Sequence, residues 1–249
     1  MKAGKLAPMP RGPLYLGVKR RILERLAAGE WKPGDRLPTE PELGARFGVA
    51  ISTIRAGLAD LSAAGIVVKR QGKGTFVATH DLDHQQFRFL NVYTNDGTKL
   101  STTRKVTSLR KVRTNAETRA LLALRSDAAE VLETRAILKL DGRPIATMEL
   151  ILPLGLFEGL ERDELEQGEE NLYSYYQREF GVTVLRMQER VFARTADAQT
   201  AKALNLKVGH PLLLVERVAY TYGNRPVEIR RRLYEGLRHH YLFTHDELD

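Results

Sequence analysis

The stretch from Leu37 to Val77 has the most regular alternation of apolar and polar positions, and it predicts two short helices followed by a hairpin. Thr39 with Glu42 three residues later is a capping box, so the first helix is expected to begin at Thr39. Gly48 ends that helix, because glycine readily adopts the left-handed conformation that closes a helix. Apolar positions at helical spacing then predict the buried stripe of the second helix: Ile51, Ile54, Leu58 and Leu61.

A basic hairpin is predicted after this helix pair. Two strand-like segments, residues 66–69 and 75–77, flank a glycine-rich turn from Gln71 to Gly74. The turn would present Lys69, Arg70 and Lys73, and its glycines would let the backbone approach a phosphate. A helix pair followed by a basic hairpin is typical of a winged helix-turn-helix. The pattern therefore favours DNA binding over a small helical core with a solvated hairpin.

Residues 88–249 alternate strand-like and helix-like segments joined by short turns, which predicts an antiparallel α+β domain. Strands are expected over residues 87–93, 102–112, 131–140, 144–152, 182–193, 212–222 and 225–234. Helices are expected over residues 115–124, 156–165, 171–180 and 197–204.

A polar segment without periodicity, residues 79–87, is the predicted linker between this domain and a DNA-binding domain at 14–78. Residues 1–13 would form a flexible arm, and an amphipathic helix from Leu14 to Gly29 would pack on the helix pair. Trp31 is interpreted as a core anchor. The linker brings together four potential metal ligands, but no second cluster completes a site, so neither a metal ion nor another cofactor is expected. These four are His80, Asp81, Asp83 and His84.

Charge is unevenly distributed along the 249 residues. The first 80 residues hold 14 Lys plus Arg and 6 Asp plus Glu, a net of +8, whereas residues 81–249 hold 25 of each. The whole formal excess lies on the predicted DNA-binding part, where it would neutralise phosphates. The chain has no cysteine, and no apolar run approaches the roughly 20 residues that span a bilayer. We therefore expect a cytoplasmic protein that does not associate with a membrane.

Several motifs follow one another in residues 14–77: GEWKPGDRLPTE at 29–40, FGV at 47–49, TIR at 53–55 and GKGTFV at 72–77. In this order they resemble the DNA-binding domain of the GntR family of bacterial transcription regulators. The resemblance implies that the second helix enters the major groove and that the hairpin reaches the minor groove. The chain departs from the family at Pro41, where Arg is usual, and at Ala50 and Ile51, where a hydroxyl residue and Arg are usual. The candidate DNA contacts are Thr39, Ser52, Thr53, Arg55, Arg70, Gly72, Lys73, Gly74 and Thr75.

Looser motifs occur in the second domain, including DGRPIA at 141–146, HPLL at 210–213 and RPVE at 225–228. They resemble the effector-binding UTRA domain of the HutC branch of the same family, which shares the fold of chorismate lyase. The resemblance implies a homodimer that binds a small metabolite, and the arginines favour a carboxylate or a phosphate. The candidate effector contacts are Arg135, Glu149, Tyr173, Glu228, Arg231 and Tyr234.

Strand alternation complicates this set. Arg230 and Arg232 share the side of Glu228, whereas Arg231 faces away, so these residues line one pocket only if a bulge intervenes. Alternation also turns Glu149 away from the face on which the resemblance expects a glutamate.

Together these features predict a ligand-responsive repressor that binds double-stranded DNA as a homodimer, at an inverted-repeat operator. Activation rather than repression stays open. So do two other classes: an enzyme of chorismate-lyase fold with a DNA-binding head, and a DNA-binding protein without a ligand. The sequence has no nucleophile–base spacing and no complete phosphate-binding loop, which disfavours the enzyme.

Overall fold

The computed structural model describes residues 13–79, 91–98, 100, 102–166 and 172–243. The chain divides into two units, residues 1–79 and 80–249. The first unit contains three helices and a hairpin: α1 Leu14–Ala27, α2 Glu40–Phe47, α3 Ile51–Ala63, β1 Val67–Arg70 and β2 Gly74–Val77.

The first unit is built on the close approach of α1 and α3. Val18 and Ile22 of α1 are fully buried, as is Ile54 of α3. A Cβ on Gly57 would lie 2.8 Å from Cγ1 of Val18, so only glycine permits this helix contact. The sequence placed Ile51 in the buried stripe, and this was wrong, because its side chain is 44% exposed. Ile51 is the first residue of α3 and lies at the edge of the core, so the stripe begins one turn later.

The capping box predicted at the start of α2 is confirmed. The Thr39 side chain accepts a hydrogen bond from the backbone of Glu42, and the Glu42 side chain accepts one from the backbone N–H of Thr39. Gly48 ends the helix in the left-handed conformation, with φ of 67°. Trp31 is buried, as expected of a core anchor.

The hairpin after α3 is antiparallel and pairs Val67 with Val77. Its second strand also accepts a hydrogen bond from the segment before α2, from Leu37 N to Thr75 O at 2.8 Å. Gly74 has a φ of +109°, and a Cβ there would lie 2.8 Å from Nε of Arg36. Glycine at this position therefore lets the hairpin pack on that segment.

The second unit is an α+β domain, as predicted. Its elements are β3 Val92–Thr94, β4 Thr103–Arg113, α4 Ala116–Leu121, β5 Glu130–Leu140, β6 Arg143–Pro153, α5 Arg162–Glu166, α6 Leu172–Phe180, β7 Arg186–Thr195, α7 Ala198–Leu204, β8 Pro211–Tyr220, β9 Pro226–Glu235 and β10 His239–Tyr241. Six strands form one antiparallel sheet in the order β4-β5-β6-β9-β8-β7, and β10 and β3 form a separate pair.

The six-stranded sheet consists of two similar halves. The order strand, helix, strand, strand occurs first as β4, α4, β5 and β6, and again as β7, α7, β8 and β9. The halves meet where β6 pairs with β9. Each helix begins with a capped turn, in which Asn115 accepts from Thr118 N and Asp197 accepts from Thr200 N. The shared capping chemistry explains why both helices start directly after a strand.

The two faces of this sheet are covered differently. Apolar residues at the end of α4 and on α7 pack on one face, against Ile229 and Leu233 respectively. Helices α5 and α6 pack on the other face through Leu165, Tyr175 and Tyr176 in the main core. We call these the α4/α7 face and the α6 face.

Two predicted elements differ from the structure. The helix expected over 156–165 is only a 3-10 turn at Leu154–Leu156 and the short α5, because Gly159 between them has a left-handed φ of 85°. The strand expected over 182–193 begins at Arg186. Residues 1–12 of the predicted arm, most of the linker with its four potential metal ligands, and residues 87–90 of the first predicted strand lie outside the described residues.

Candidate functional sites

The candidate DNA contacts lie on α3, on the hairpin and at the start of α2. Six of the nine are exposed and three are half-buried. The exposed residues are Thr39, Ser52, Arg55, Arg70, Gly72 and Lys73, and the half-buried ones are Thr53, Gly74 and Thr75.

Local structure explains part of this set. Gly72 has a φ of 70°, which allows the tight turn at the hairpin tip. The Arg70 guanidinium lies 4.9 Å from the centre of the Phe76 ring, so its direction is fixed by stacking. The Thr39 hydroxyl is used in the helix cap. Ala50 precedes α3 without a side-chain cap, because its methyl group cannot accept a hydrogen bond from the first turn of the helix.

Arg55 is held by a carboxylate that the sequence analysis did not single out. Its Nε and Nη2 donate to Oε2 of Glu40 at 3.2 Å and 2.9 Å. Nζ of Lys69 lies 3.9 Å from Oε1 of the same residue. Glu40 thus contacts one cation on α3 and one on β1.

A buried polar cluster lies under α6. Glu228, fully buried on β9, accepts hydrogen bonds from Tyr173 Oη at 3.0 Å and from Tyr176 Oη at 3.1 Å, and Arg230 Nη2 donates to it at 2.6 Å. Arg217 on β8 donates through Nη1 to Tyr173 Oη at 3.3 Å. The tyrosine–arginine cluster consists of Tyr173, Tyr176, Glu189, Arg217, Glu228 and Arg230.

The cluster continues toward the start of the second unit. Arg217 Nε donates to Glu189 Oε1 at 2.8 Å, and Tyr241 Oη donates to Oε2 of Glu189. Asn91 Nδ2 in turn donates to Tyr241 Oη at 2.9 Å. Asn91 is the first residue of the second unit that the structure describes.

Burial and charge shift the acidity of these groups. Burial raises the pKa of Tyr173 and raises that of Tyr176 further, so both hydroxyls stay protonated and can donate. Burial alone would raise the pKa of Glu189, but Arg217 and the Tyr241 hydroxyl lower it overall. Burial and Glu189 raise the pKa of Tyr241 to about 12. Perturbed groups gathered in one place mark a candidate functional site.

The opposite, α4/α7 face carries a row of alternating charges. Arg135, Glu149, Arg231 and Glu216 stand opposite one another on β5, β6, β9 and β8. Arg231 donates to three carboxylates: to Glu216 at 2.7 Å, to Glu117 at 2.9 Å and to Glu149 at 3.1 Å. A cleft of about 650 Å³ lies beside this row.

The structure therefore divides the six candidate effector contacts between the two faces. Tyr173 and Glu228 lie in the tyrosine–arginine cluster, and Tyr234 is buried beside it, where it accepts a hydrogen bond from Arg232 at 3.4 Å. The second group comprises Arg135, Glu149 and Arg231, and all three line the cleft on the α4/α7 face. The alternation that turned Arg231 away from its neighbours is confirmed.

Four members of the cluster are not among the predicted effector contacts, and one of them, Arg230, was predicted only to share the side of Glu228. Glu189 and Tyr176 gave no signal, because their role depends on contacts between distant strands and helices. Arg217 did carry one: it is a charged residue inside the apolar strand β8, and it is buried. Charged residues are rarely buried without a partner, so such a position deserves testing as part of a site.

The histidines that the structure describes, which could serve as bases in the enzyme alternative, have structural contacts. Nε2 of His210 lies 2.6 Å from Oε1 of Glu235, and Nδ1 of His239 lies 2.8 Å from the backbone oxygen of the same residue. His240 stacks on Tyr93. His245 lies outside the described residues.

The part of the chain that the structure describes lacks two features, a metal-binding group of side chains and a membrane-spanning helix. It holds no group of three or more His, Cys, Asp or Glu side chains placed to bind a metal ion. None of its helices is long and apolar enough to cross a membrane.

Comparison with known proteins gives matches for both units. A family model described as the UTRA domain matches residues 98–240, and one described as bacterial regulatory proteins, gntR family, matches residues 14–77. The chain is 24% identical to the HTH-type transcriptional repressor NagR of Bacillus subtilis strain 168, over 98% of both proteins. It is 45% identical over 75 residues to the histidine utilization repressor of Klebsiella aerogenes, which covers 29% of this chain and 31% of that protein.

A solved structure supports the fold of the second unit. The ligand-binding domain of a GntR-family transcriptional regulator from Bordetella bronchiseptica is 33% identical to this chain, with a TM-score of 0.58. The match covers 64% of this chain and 98% of that domain.

Proposed function

Because the chain belongs to the GntR family of bacterial regulatory proteins and carries a UTRA domain, we propose that it is a homodimeric repressor released from DNA by a small anionic metabolite. DNA binding by the first unit and effector binding by the second follow from the two families. The anionic nature of the effector, the homodimer and the contacting residues are the parts proposed here.

On the DNA side, α3 enters the major groove and the hairpin tip follows the adjacent backbone. The exposed positions of Ser52, Arg55 and Lys73 support this arrangement. In a homodimer two copies of α3 would reach half-sites about 34 to 36 Å apart, so the operator is an inverted repeat. The net charge of +8 on the first 80 residues supplies the phosphate attraction.

On the effector side, the tyrosine–arginine cluster is the proposed binding site. The observation that carries this assignment is the burial of Arg217 and Arg230 together with two protonated tyrosines under one helix. Guanidinium groups and hydroxyl donors match the acceptors of a carboxylate or phosphate. Buried charges often cost stability, so their concentration here is better explained by a function than by packing.

The cluster also reaches the start of the second unit. Its hydrogen bonds run from Tyr173 through Arg217 and Glu189 to Asn91, the first described residue of the second unit. An anion that recruits Arg217 would weaken its bonds to Tyr173 and Glu189 and so alter the anchoring of the chain at Asn91. Release from DNA requires only that the effector bind one of two arrangements more tightly.

The cleft beside Arg135 is the alternative location for an effector. Its volume of about 650 Å³ suits a small molecule. However, Arg231 in its floor pairs with three carboxylates, whereas the tyrosine–arginine cluster matches two arginines with two carboxylates, so the cleft is the less favourable of the two for an anion.

A thermal-shift experiment on the full-length protein tests the proposal. Glucose 6-phosphate, citrate and inorganic phosphate serve as anionic probes, with glucose as the neutral control. A probe at a free concentration of 100 times its Kd raises the free energy of unfolding by about 2.7 kcal/mol. Each kcal/mol raises the Tm by about 2 to 4 °C in a domain of this size.

Two variants locate the bound anion. Tyr173→Phe removes a donor from the cluster and should reduce the shift, whereas Arg135→Ala on the opposite face should leave it unchanged. The reverse pattern would move the site to the cleft. The stabilising anion should also weaken binding to a duplex selected by the wild-type protein from a random library. Turnover of a probe would instead support the enzyme alternative.

A further inference from the structure

One carboxylate in the first unit joins the recognition helix to the hairpin. Oε2 of Glu40 accepts hydrogen bonds from both Nε and Nη2 of Arg55, and Oε1 faces Nζ of Lys69. The Arg55 side chain is 66% exposed, whereas that of Glu40 is only 23% exposed. The carboxylate is thus the more buried partner and the arginine the more exposed one.

Glu40 is held in place by its position in the fold. It is the first residue of α2, where the partial positive charge of the helix N-terminus favours a carboxylate. The capping box at Thr39 fixes the backbone of the same turn, with Thr39 N donating to Glu42 Oε2 at 2.7 Å. The backbone that carries the Glu40 side chain is therefore fixed independently of Arg55.

A carboxylate on a surface that meets phosphates costs affinity, because like charges repel. Its presence among the proposed DNA contacts therefore calls for a compensating role. Arg55 is the only arginine of α3, and positions 41 and 51 hold Pro and Ile. Within α3, base recognition by a guanidinium depends on this one side chain.

We propose that Glu40 is a positioning residue, which orients the guanidinium of Arg55 and thereby sets the sequence selectivity of the protein. The inference rests on the proposed DNA-binding role of α3. A guanidinium has five N–H donors. The clamp engages the Nε–Nη2 edge and leaves the Nη1–Nη2 end to donate to O6 and N7 of a guanine. Without the clamp, Arg55 reaches phosphates as readily as bases, and phosphate contacts carry no direct sequence information.

The test compares two duplexes: one selected by the wild-type protein from a random library and a scrambled duplex of the same composition. The measured quantity is the Kd for the scrambled duplex divided by the Kd for the selected duplex. Glu40→Gln should lower this ratio about tenfold, the discrimination expected to be lost with one well-oriented bidentate base contact. It should also tighten binding to the scrambled duplex. Glu40→Asp keeps the charge but withdraws the carboxylate by one methylene, and it should lower the ratio too.

Asp60→Asn is the matched control. Asp60 is a carboxylate on α3 that pairs with Lys19 of α1, so this variant gains the same net charge without touching Arg55. It should keep the wild-type ratio. In an Arg55→Ala background, Glu40→Gln should change the ratio no further, since Glu40 acts only through Arg55. Circular dichroism melts confirm that each variant is folded.

The outcomes separate this inference from the proposed function. If no duplex is selected at all, both fail. If Arg55→Ala lowers the ratio but Glu40→Gln does not, the clamp has no role in selectivity, while DNA binding through α3 stands. The inference would also be overturned if Asp60→Asn lowered the Kd ratio as much as Glu40→Gln does. It would be overturned as well if the effects of Glu40→Gln and Arg55→Ala on the ratio were additive.

Discussion

Glu228→Ala should strongly destabilise the second unit. The wild-type carboxylate is fully buried and accepts from two tyrosine hydroxyls and from Arg230. Removing one member of a buried ion pair leaves the other charge in a medium that solvates it poorly, at a cost of about 3 to 5 kcal/mol. The tyrosine hydroxyls lose an acceptor in the same change, so their loss overlaps with this figure and is not added to it.

The expected loss is a large share of the stability of a domain, which is typically about 5 to 15 kcal/mol. At about 2 to 4 °C per kcal/mol for a domain of this size, the Tm should fall by about 6 to 20 °C. Glu228→Gln keeps an acceptor for the tyrosines and should lose less.

The two units can be followed separately in one sample. Trp31 is the only tryptophan and lies in the first unit, so its fluorescence reports on that unit. Eight of the nine tyrosines lie in the second unit, so near-ultraviolet circular dichroism reports mainly on that one. Glu228→Ala should lower the melting temperature reported by tyrosine circular dichroism and leave the melting temperature reported by tryptophan fluorescence unchanged.

Glu158→Ala is the control, because Glu158 is an exposed carboxylate of the same unit. It should change stability by no more than about 0.5 kcal/mol. The reasoning from a buried charge network would be refuted if Glu228→Ala melted at the same temperature as the wild type. It would also be refuted if the tyrosine and tryptophan transitions both moved to lower temperature.

Three further outcomes are expected. Lys73→Ala should lower the salt slope of DNA binding by about one, as titrations at several salt concentrations would reveal; an unchanged slope would mean that the hairpin tip stays off the DNA. Thr39→Ala should destabilise the first unit by about 0.5 to 2 kcal/mol through loss of the helix cap, seen as an earlier transition in Trp31 fluorescence. Burial alone would raise the pKa of Glu189 and of Glu216, but their arginine partners outweigh it and hold both pKa values below 4.5. The two ionised carboxylates therefore add their full stability above pH 4.5, and this stability is lost as the pH falls through their lowered pKa values. Acid titration of the folded protein should show this loss, and Glu216→Gln should make it shallower.

Much of the first unit was predictable because its determinants are local. A capping box, a left-handed glycine and a helical repeat of apolar residues each depend on positions a few residues apart, and Thr39, Gly48 and Ile54 behave as the pattern predicted. Ile51 is the exception, because exposure at the end of a helix depends on where the core stops.

The second unit shows the limit of such reasoning. Alternation along β9 placed Arg230 and Arg231 on opposite sides of the sheet, since successive side chains of a strand point to opposite faces. It could not say which strands lie beside β9, and the order β4-β5-β6-β9-β8-β7 is a property of the folded chain.

The sequence by itself determined a winged helix-turn-helix with a basic hairpin and an antiparallel α+β domain. Only the tertiary structure brought Tyr173 and Tyr176, 55 and 52 residues away, onto Glu228, and Arg55 onto Glu40, 15 residues away. The physical reason is that helix and strand patterns arise from neighbouring residues. A binding site, by contrast, arises where distant segments are packed together, and the side chains that meet there leave no periodic trace in the sequence.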